Sequence, residues 1–304
     1  MANNRVFQAQ ALTTNTIAIG GLSLLRLAAK FQHVVASGQD GAFGIEDVDR
    51  AGMRIDAAMQ CTDVVKVNSI LASTPGATTF YGKESGAATY KTYAIAAASG
   101  VIVWSGMNLA LSKVADAVLG CNGRIRFTTG AKTLADVIGV TAGASAPSKT
   151  SPAPLYRPHT ASFTPVGGEA ITPVHTESIN LSCSAEVKSA FGDTDIGETA
   201  VDLAPWGPLQ VTLVHRDALA VSPSDIAAAL VAAEAGVLTV QLLGRGGAAD
   251  KTLTINNLQW LGSEEAHGPD YTDWTMTGVA GWTKRGTPDV NYDLTGANKL
   301  FAIA

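Results

Sequence analysis

The sequence predicts a mainly β protein: two tandem β-sandwich or barrel domains, each with at most one short helix. Three observations predict it. Short apolar/polar alternations recur between Gly, Pro and Asn/Asp turn residues along most of the chain. A similar series of segments then returns, in the same order, after roughly one domain length. Between the series lies a stretch rich in Pro, Ser and Thr.

Taken in order, residues 1–16 are polar and aperiodic, and read as an arm. Residues 16–35 (TIAIGGLSLLRLAAKFQHVV) read as two strands broken at Gly20-Gly21, and SGQDG at 37–41 as a turn. In MRIDAAMQC, Met53, Ile55, Ala57 and Met59 share one face while Arg54 and Asp56 point the other way, a half-buried strand. Residues 64–71 are open between strand and short helix. Residues 78–81 and 89–94 flank a Gly-rich loop as a hairpin, and 101–104 is another short β run. Residues 109–119 (LALSKVADAVL) read as one or two helical turns stopped by Gly120, and 124–128 as a closing strand.

From 141 to 173 prolines recur among Ala, Gly, Ser and Thr, which predicts a linker in extended or polyproline conformation. The domains are therefore set at 1–145 and 174–304, with 146–173 between them. In the second half, residues 179–188 and 209–215 alternate as strands. Ser222 as N-cap, Pro223 at the first helical position and Asp225 in the first turn predict a helix over 222–234, ended by Gly236. Residues 237–258 read as a hairpin and 271–280 as the last strand.

The repeat can be followed residue by residue. Gly44, Asp49, Gly52 and Asp63 meet Gly197, Asp202, Gly207 and Asp217. Gly82, Lys83, Lys91, Thr92 and Ile95 meet Gly244, Arg245, Lys251, Thr252 and Ile255. Order and spacing together favour a duplication over chance.

Size and composition bound the function. The chain of 304 residues is 46% hydrophobic and only 15% charged, which excludes extensive disorder and suggests a surface largely covered by partners. A net charge of -5 offers no whole-chain basic footprint for gripping nucleic acid. Three cysteines, Cys61, Cys121 and Cys183, are odd in number and form no CxxC, so they read as reduced, apolar thiols. No signal peptide and no membrane-spanning run is apparent, which leads to the expectation of a cytoplasmic product.

The chemistry-bearing motifs give way to structural readings. Gly244-x-Gly246-x-x-Ala249 has the letters of a dinucleotide fingerprint, but a strand follows where the pyrophosphate would need a helix N-terminus, so it reads as a hairpin turn. The five histidines (33, 159, 175, 215, 267) show no ligand spacing, and His215 reads as a structural or interface residue. Glu46-Asp47 and Glu264-Glu265 read as solvated loop charges. Trp206, Trp260, Trp274 and Trp282 read as core or interface residues. No GxSxG or SxxK occurs. The expectation is a non-enzyme with no catalytic residue, metal or cofactor.

The second half resembles the tail tube proteins of long-tailed bacteriophages, themselves related in fold to contractile-tail and type VI secretion tube proteins. The likeness rests on layout: the charged hairpin INLSCSAEVKSAFGDTDIGETAVDLAPWG, the strand LQVTLVHRD, the Ala-rich helix, KTLTINNLQWLGS, and the closing DYTDWTMTGVAG. It covers residues 179–282 well and 17–130 weakly, the first half lacking a clear helix.

The resemblance implies small β domains whose strands join into rings stacked as a hollow tube that DNA traverses without specific binding. A duplicated chain would close such a ring as a trimer with pseudo-sixfold symmetry. The implied partners are other copies of the chain and the tape-measure, tail-terminator and distal-tail proteins. The implied location is the virion tail, assembled in the host cytoplasm. The hairpin over 191–206 has too few apolar residues to bury within its own domain, so Asp193, Asp195 and Glu198 are the candidate inter-ring contacts. Two alternatives stand beside this reading. One is another β-rich virion component, such as a distal-tail, tail-terminator or capsid-decoration protein; the other is a small-ligand-binding β protein.

Overall fold

A computed structural model describes residues 7–14, 17–37, 45–72, 78–84, 90–95, 100–127, 138–144, 154–166, 175–191, 197–218, 235–283 and 291–304. The first half contains β1 (Phe7–Thr14), β2 (Ile17–Ile19), β3 (Leu22–Ser37) and β4 (Ile45–Cys61). A 3-10 turn at Val64–Lys66 leads into helix α1 (Val67–Ala72). Then come β5 (Thr78–Glu84), β6 (Tyr90–Ile95), β7 (Gly100–Ser112), β8 (Val118–Phe127) and β9 (Ile138–Ala144). The second half contains β10 (Leu155–Pro165), β11 (His175–Phe191), β12 (Glu198–Trp206) and β13 (Leu209–Ala218). It ends with β14 (Gly236–Arg245), β15 (Lys251–His267), β16 (Tyr271–Ala280) and β17 (Phe301–Ile303). The protein is mainly β, as its alternating sequence predicts.

The strands form two sheets. A 5-stranded sheet runs β2-β1-β5-β6-β9. A 12-stranded sheet runs β10-β14-β15-β16-β13-β11-β7-β8-β4-β3, with β12 beside β11 and β17 beside β15. The larger sheet crosses from one half of the chain to the other at β11 and β7, which pair antiparallel from Ser178↔Ser112 to Ser184↔Gly106.

Within this sheet the halves share one topology. The first contributes β7-β8-β4-β3, and four of the second half's eight strands, β15-β16-β13-β11, run in the matching order, every neighbouring pair antiparallel. In each, the spatial order by sequence is third, fourth, second, first, and the two units follow one another in the same sense. This topology sets β7 against β15, whereas the matched letters of the sequence set the hairpin of β5 and β6 against that of β14 and β15. The β5–β6 hairpin lies instead in the smaller sheet.

Period-two alternation builds the core. Met53, Ile55, Ala57 and Met59 of β4 are buried on one face. Met59 stands opposite Cys121, Cys121 opposite Met107, and Met107 opposite Cys183, a row of sulfur side chains crossing the junction of the halves. A single hydrophobic cluster runs from Leu12 to Ile303. Each buried side chain of this size contributes about 1.5–3 kcal/mol, so the joint between the halves is cored like the halves themselves.

Several expectations are corrected. The arm contains β1, which pairs β2 and β5. Residues 109–119 are not helical: they complete β7, turn, and open β8, because Leu109, Leu111 and Leu119 alternate into the core. The open segment 64–71 is helical. The linker holds β10, which pairs β14, with Pro158 and Pro165 tolerated because no strand follows on its other side among the described residues. Glu46-Asp47 and Glu264-Glu265 lie in strands β4 and β15 rather than loops. The helix expected over 222–234 lies outside the described residues, as does the turn expected over 37–41 apart from Ser37, which ends β3.

Candidate assembly surface

The sequence-selected hairpin is built from β11 and β12, paired from Ala185↔Trp206 to Phe191↔Glu198. Asp193 and Asp195 lie outside the described residues. Glu198 is only 2% exposed and sits inside its own chain. Its Oε1 accepts a hydrogen bond from the Ser189 hydroxyl at 3.0 Å and lies 3.6 Å from Nη1 of Arg124 on β8. Gly197 beside it has room for no side chain, since a Cβ there would stand 2.5 Å from the Phe127 ring. The turn end of the described hairpin is thus clamped to β8.

Arg124 also borders a recess of about 390 Å³ on the outward face of β3, β4 and β8. Small residues, Ala28 and Ala58 among them, floor it, and Arg26, Lys30, Arg54 and Arg124 supply its charge. One acid lies among them. Asp56 accepts from Arg54 Nε at 2.7 Å, with Lys30 Nζ at 3.0 Å and Arg124 Nε at 3.6 Å. Burial pushes the Asp56 carboxyl up, but hydrogen bonds and charge from Arg54 and Lys30 outweigh it and hold the group below the usual range. Among the described residues four cations are set against the Asp56 carboxylate and, through Arg124, that of Glu198, a local excess of positive charge in a chain of net charge -5.

The far end of the sheet is acidic. β14 pairs β15 only as far as Leu258, while β16 continues beside β15 to His267. Asn257, at φ 55°, makes the bend there, and its amide donates to the carbonyls of Gly281 at 2.8 Å and Thr283 at 2.9 Å. Beyond it, Glu264 and Glu265 are exposed, and Leu261 is 65% exposed. Arg216 of β13 grips Asp273 of β16 through two hydrogen bonds, 2.7 and 2.9 Å, and lies 3.7 Å over the Tyr271 ring. Those bonds hold the Asp273 carboxyl below its usual range.

The remaining candidates have structural placements. Gly246 and Gly247 adopt φ 66° and 87° in the turn between β14 and β15, and Asp250 accepts from the Gly244 N–H at 2.9 Å. Strand β15 follows, so the fingerprint letters form a hairpin. His215 is fully buried with its ring stacked on Trp274, 6.3 Å between centroids, while His159, His175 and His267 are exposed. Trp260 is buried against Phe163, and Trp206, Trp274 and Trp282 are half-buried against the core. Cys61, Cys121 and Cys183 are free and buried, and burial pushes the thiols of Cys61 and Cys183 up to about 12. Among the described residues, no group of three or more His, Cys, Asp or Glu is placed to hold a metal ion. Nor is any helix among them long and apolar enough to cross a membrane.

Sequence reasoning missed the basic recess because its cations are spread over three strands and meet only through strand register. The alternation of Arg54 and Asp56 opposite the core face was the one signal of it. Compared with known proteins, the sequence matches no protein-family model and no curated protein.

Proposed function

We propose that the chain is a structural virion protein, a tail tube subunit that polymerises as stacked rings into a hollow conduit for DNA. One observation carries the reading: two units of equal topology follow one another head to tail in one sheet, joined strand to strand at β7 and β11. A ring made by repeating such a joint needs heterologous contacts of one kind, and a chain holding two units already contains one of them. Three chains then close a pseudo-sixfold ring with true threefold symmetry.

The low charge and the long strands suit this role, since edges that would be hazardous in a monomer become the assembly surface. The acidic balance suits a conduit in which DNA moves without adhering, because affinity for DNA comes mainly from cations meeting phosphate. In this reading the protein is not an enzyme and needs no cofactor. It works in the virion tail after assembly in the host cytoplasm, meeting tape-measure, tail-terminator and distal-tail proteins. With Glu198 tied to its own β8, Asp193 and Asp195 remain the candidates for contact with the next ring.

Negative-stain microscopy and native mass spectrometry of the purified protein test the proposal. Rings or tubes with three copies per ring are expected. Six copies per ring, or a monomer that persists at high concentration, overturns it.

A further inference from the structure

The joint inside the chain specifies the joint between chains. At β11·β7, the first strand of one unit adds to the third strand of the other, at the end of β7 nearest its turn into β8. By the shared topology, β3 corresponds to β11 and β15 to β7. These are two positions left open among the described residues. Among the described residues β3 pairs only β4, and β15 beyond Leu258 pairs only β16. The open part of β15 is again the end nearest its turn.

An independent observation matches the two edges. Arg26 of β3 is opposite Ala58, and Lys30 is opposite Arg54. Both belong to the outward face, since Ile55 and Ala57 between those positions of β4 are buried. On β15, Ser263 is opposite the buried Met276, which turns Glu264, opposite Thr275, to the outward face as well. Arg26 is exposed, the Lys30 side chain is 65% exposed, and Glu264 is exposed. Leu261, exposed on the same edge, would gain cover.

We propose that β3 of one copy adds antiparallel to residues 259–267 of β15 in the next copy, setting Arg26 and Lys30 beside Glu264. The proposal rests on the ring reading and names its contact. Main-chain hydrogen bonds supply adhesion and the charges fix register and partner. The basic recess then lies at a subunit boundary, partly covered by the acidic end of a neighbouring copy.

Charge reversal tests it. Arg26→Glu and Glu264→Arg should each raise the concentration needed for assembly by about tenfold or more, because like charges then meet at the joint. The combined variant should return to within about threefold of the parent, as coupled residues do. Both side chains are exposed, so circular dichroism and Tm should stay at parent values in all three. A zero-length carbodiimide should also link the Lys30 amine to the Glu264 carboxyl between isotopically light and heavy copies, read by mass spectrometry. If the parent assembles while both single variants assemble equally well, or the combined variant is as poor as either alone, the joint is wrong and the ring reading stands. Links confined to Lys30 and Asp56 within a copy, or recess occupancy by added polyphosphate without effect on assembly, also overturn the joint. A parent that never assembles overturns the ring reading itself.

Discussion

The side-chain amide of Asn68 donates to the backbone carbonyl of Phe301 at 2.7 Å, binding helix α1 to the last strand of the chain. The same Nδ2 reaches the Leu294 carbonyl at 2.9 Å. Val67, Ile70 and Leu71 bury the rest of the helix, and Phe301, fully buried, pairs with Ile255 of β15. A six-residue helix is too short to persist on its own. Its contacts with a segment more than 220 residues away hold it in place. Asn68→Leu should cost about 2–4 kcal/mol in chemical denaturation, because two buried carbonyls lose their donor. Asn68→Asp should cost more, since a carboxylate would face those oxygens.

Asp63 is a buried acid whose pKa runs opposite to those of the surface acids. Burial pushes its carboxyl up, offset in part by the Gly20 N–H at 3.4 Å. A carboxyl raised in the folded state binds its proton more tightly there, so its contribution is fully present below the unfolded pKa and lost as pH rises through the folded one. Asp63→Asn keeps an acceptor for Gly20 and has no charge to bury. It should therefore raise Tm at neutral pH, with the gain vanishing in acid below the ordinary aspartate range. Asp56 and Asp273, both lowered, act in the other direction and lose their contribution as pH falls through their folded values. A gain from Asp63→Asn that persists unchanged in acid would sink this account.

The three thiols should be inert in the folded protein. With Cys61 and Cys183 pushed up to about 12, almost no thiolate exists at pH 8. Cys121, between them in the core, is raised too, by burial first and by its two sulfur neighbours after. An aromatic disulfide reagent should label none of them within minutes under native conditions, and all of them in denaturant. Fast labelling of Cys183 alone would mean that the β7·β11 joint opens locally.

Strand identity was legible wherever one face is apolar: β4, β13, β14 and the start of β15 follow directly from their alternation. It failed where local residue preference and tertiary pairing disagree. Leu109 to Leu119 reads as helical because Ala, Leu and Lys favour helices, yet its leucines serve two strands of one sheet. The prolines of 155–165 suggest a tether able to reach another domain, but β14 fixes that segment as an edge strand. The matched letters of the two halves set β5 and β6 against β14 and β15, whereas the strand order of the larger sheet sets β7 against β15, a property of strand pairing that no matched letters reveal. The basic recess was illegible for the same reason.

Gly197 should tolerate no side chain. A Cβ at this position meets the Phe127 ring at 2.5 to 3.0 Å, and that ring is itself buried. Gly197→Ala should cost about 1–3 kcal/mol by forcing hairpin and β8 apart. Phe127→Leu in the same chain should recover part of the loss by vacating the ring's space. If Gly197→Ala is neutral in denaturation, this end of the hairpin is not held against β8.

Glu198 and Arg124 form the other half of that clamp, and their stability and assembly roles can be separated. The carboxylate is 3% exposed and the guanidinium 20%, and among the described residues Glu198 Oε2 has no hydrogen-bond partner. Removing the cation leaves a buried charge whose other support is the Ser189 hydroxyl, so Arg124→Met should cost about 3–5 kcal/mol. Glu198→Gln keeps an acceptor for Ser189 and carries no charge, so it should cost less, about 1–2 kcal/mol. With the charge already gone, adding Arg124→Met should cost far less than it does alone. The double variant should then fall well short of the sum, a coupling that a denaturant-based double-mutant cycle reads directly. Because Glu198 is internal, Glu198→Gln should leave the assembly threshold unchanged once compared at equal fraction folded. A shift of that threshold with no change in stability would instead assign Glu198 to the contact between rings, and would mean that the hairpin leaves β8 when copies assemble.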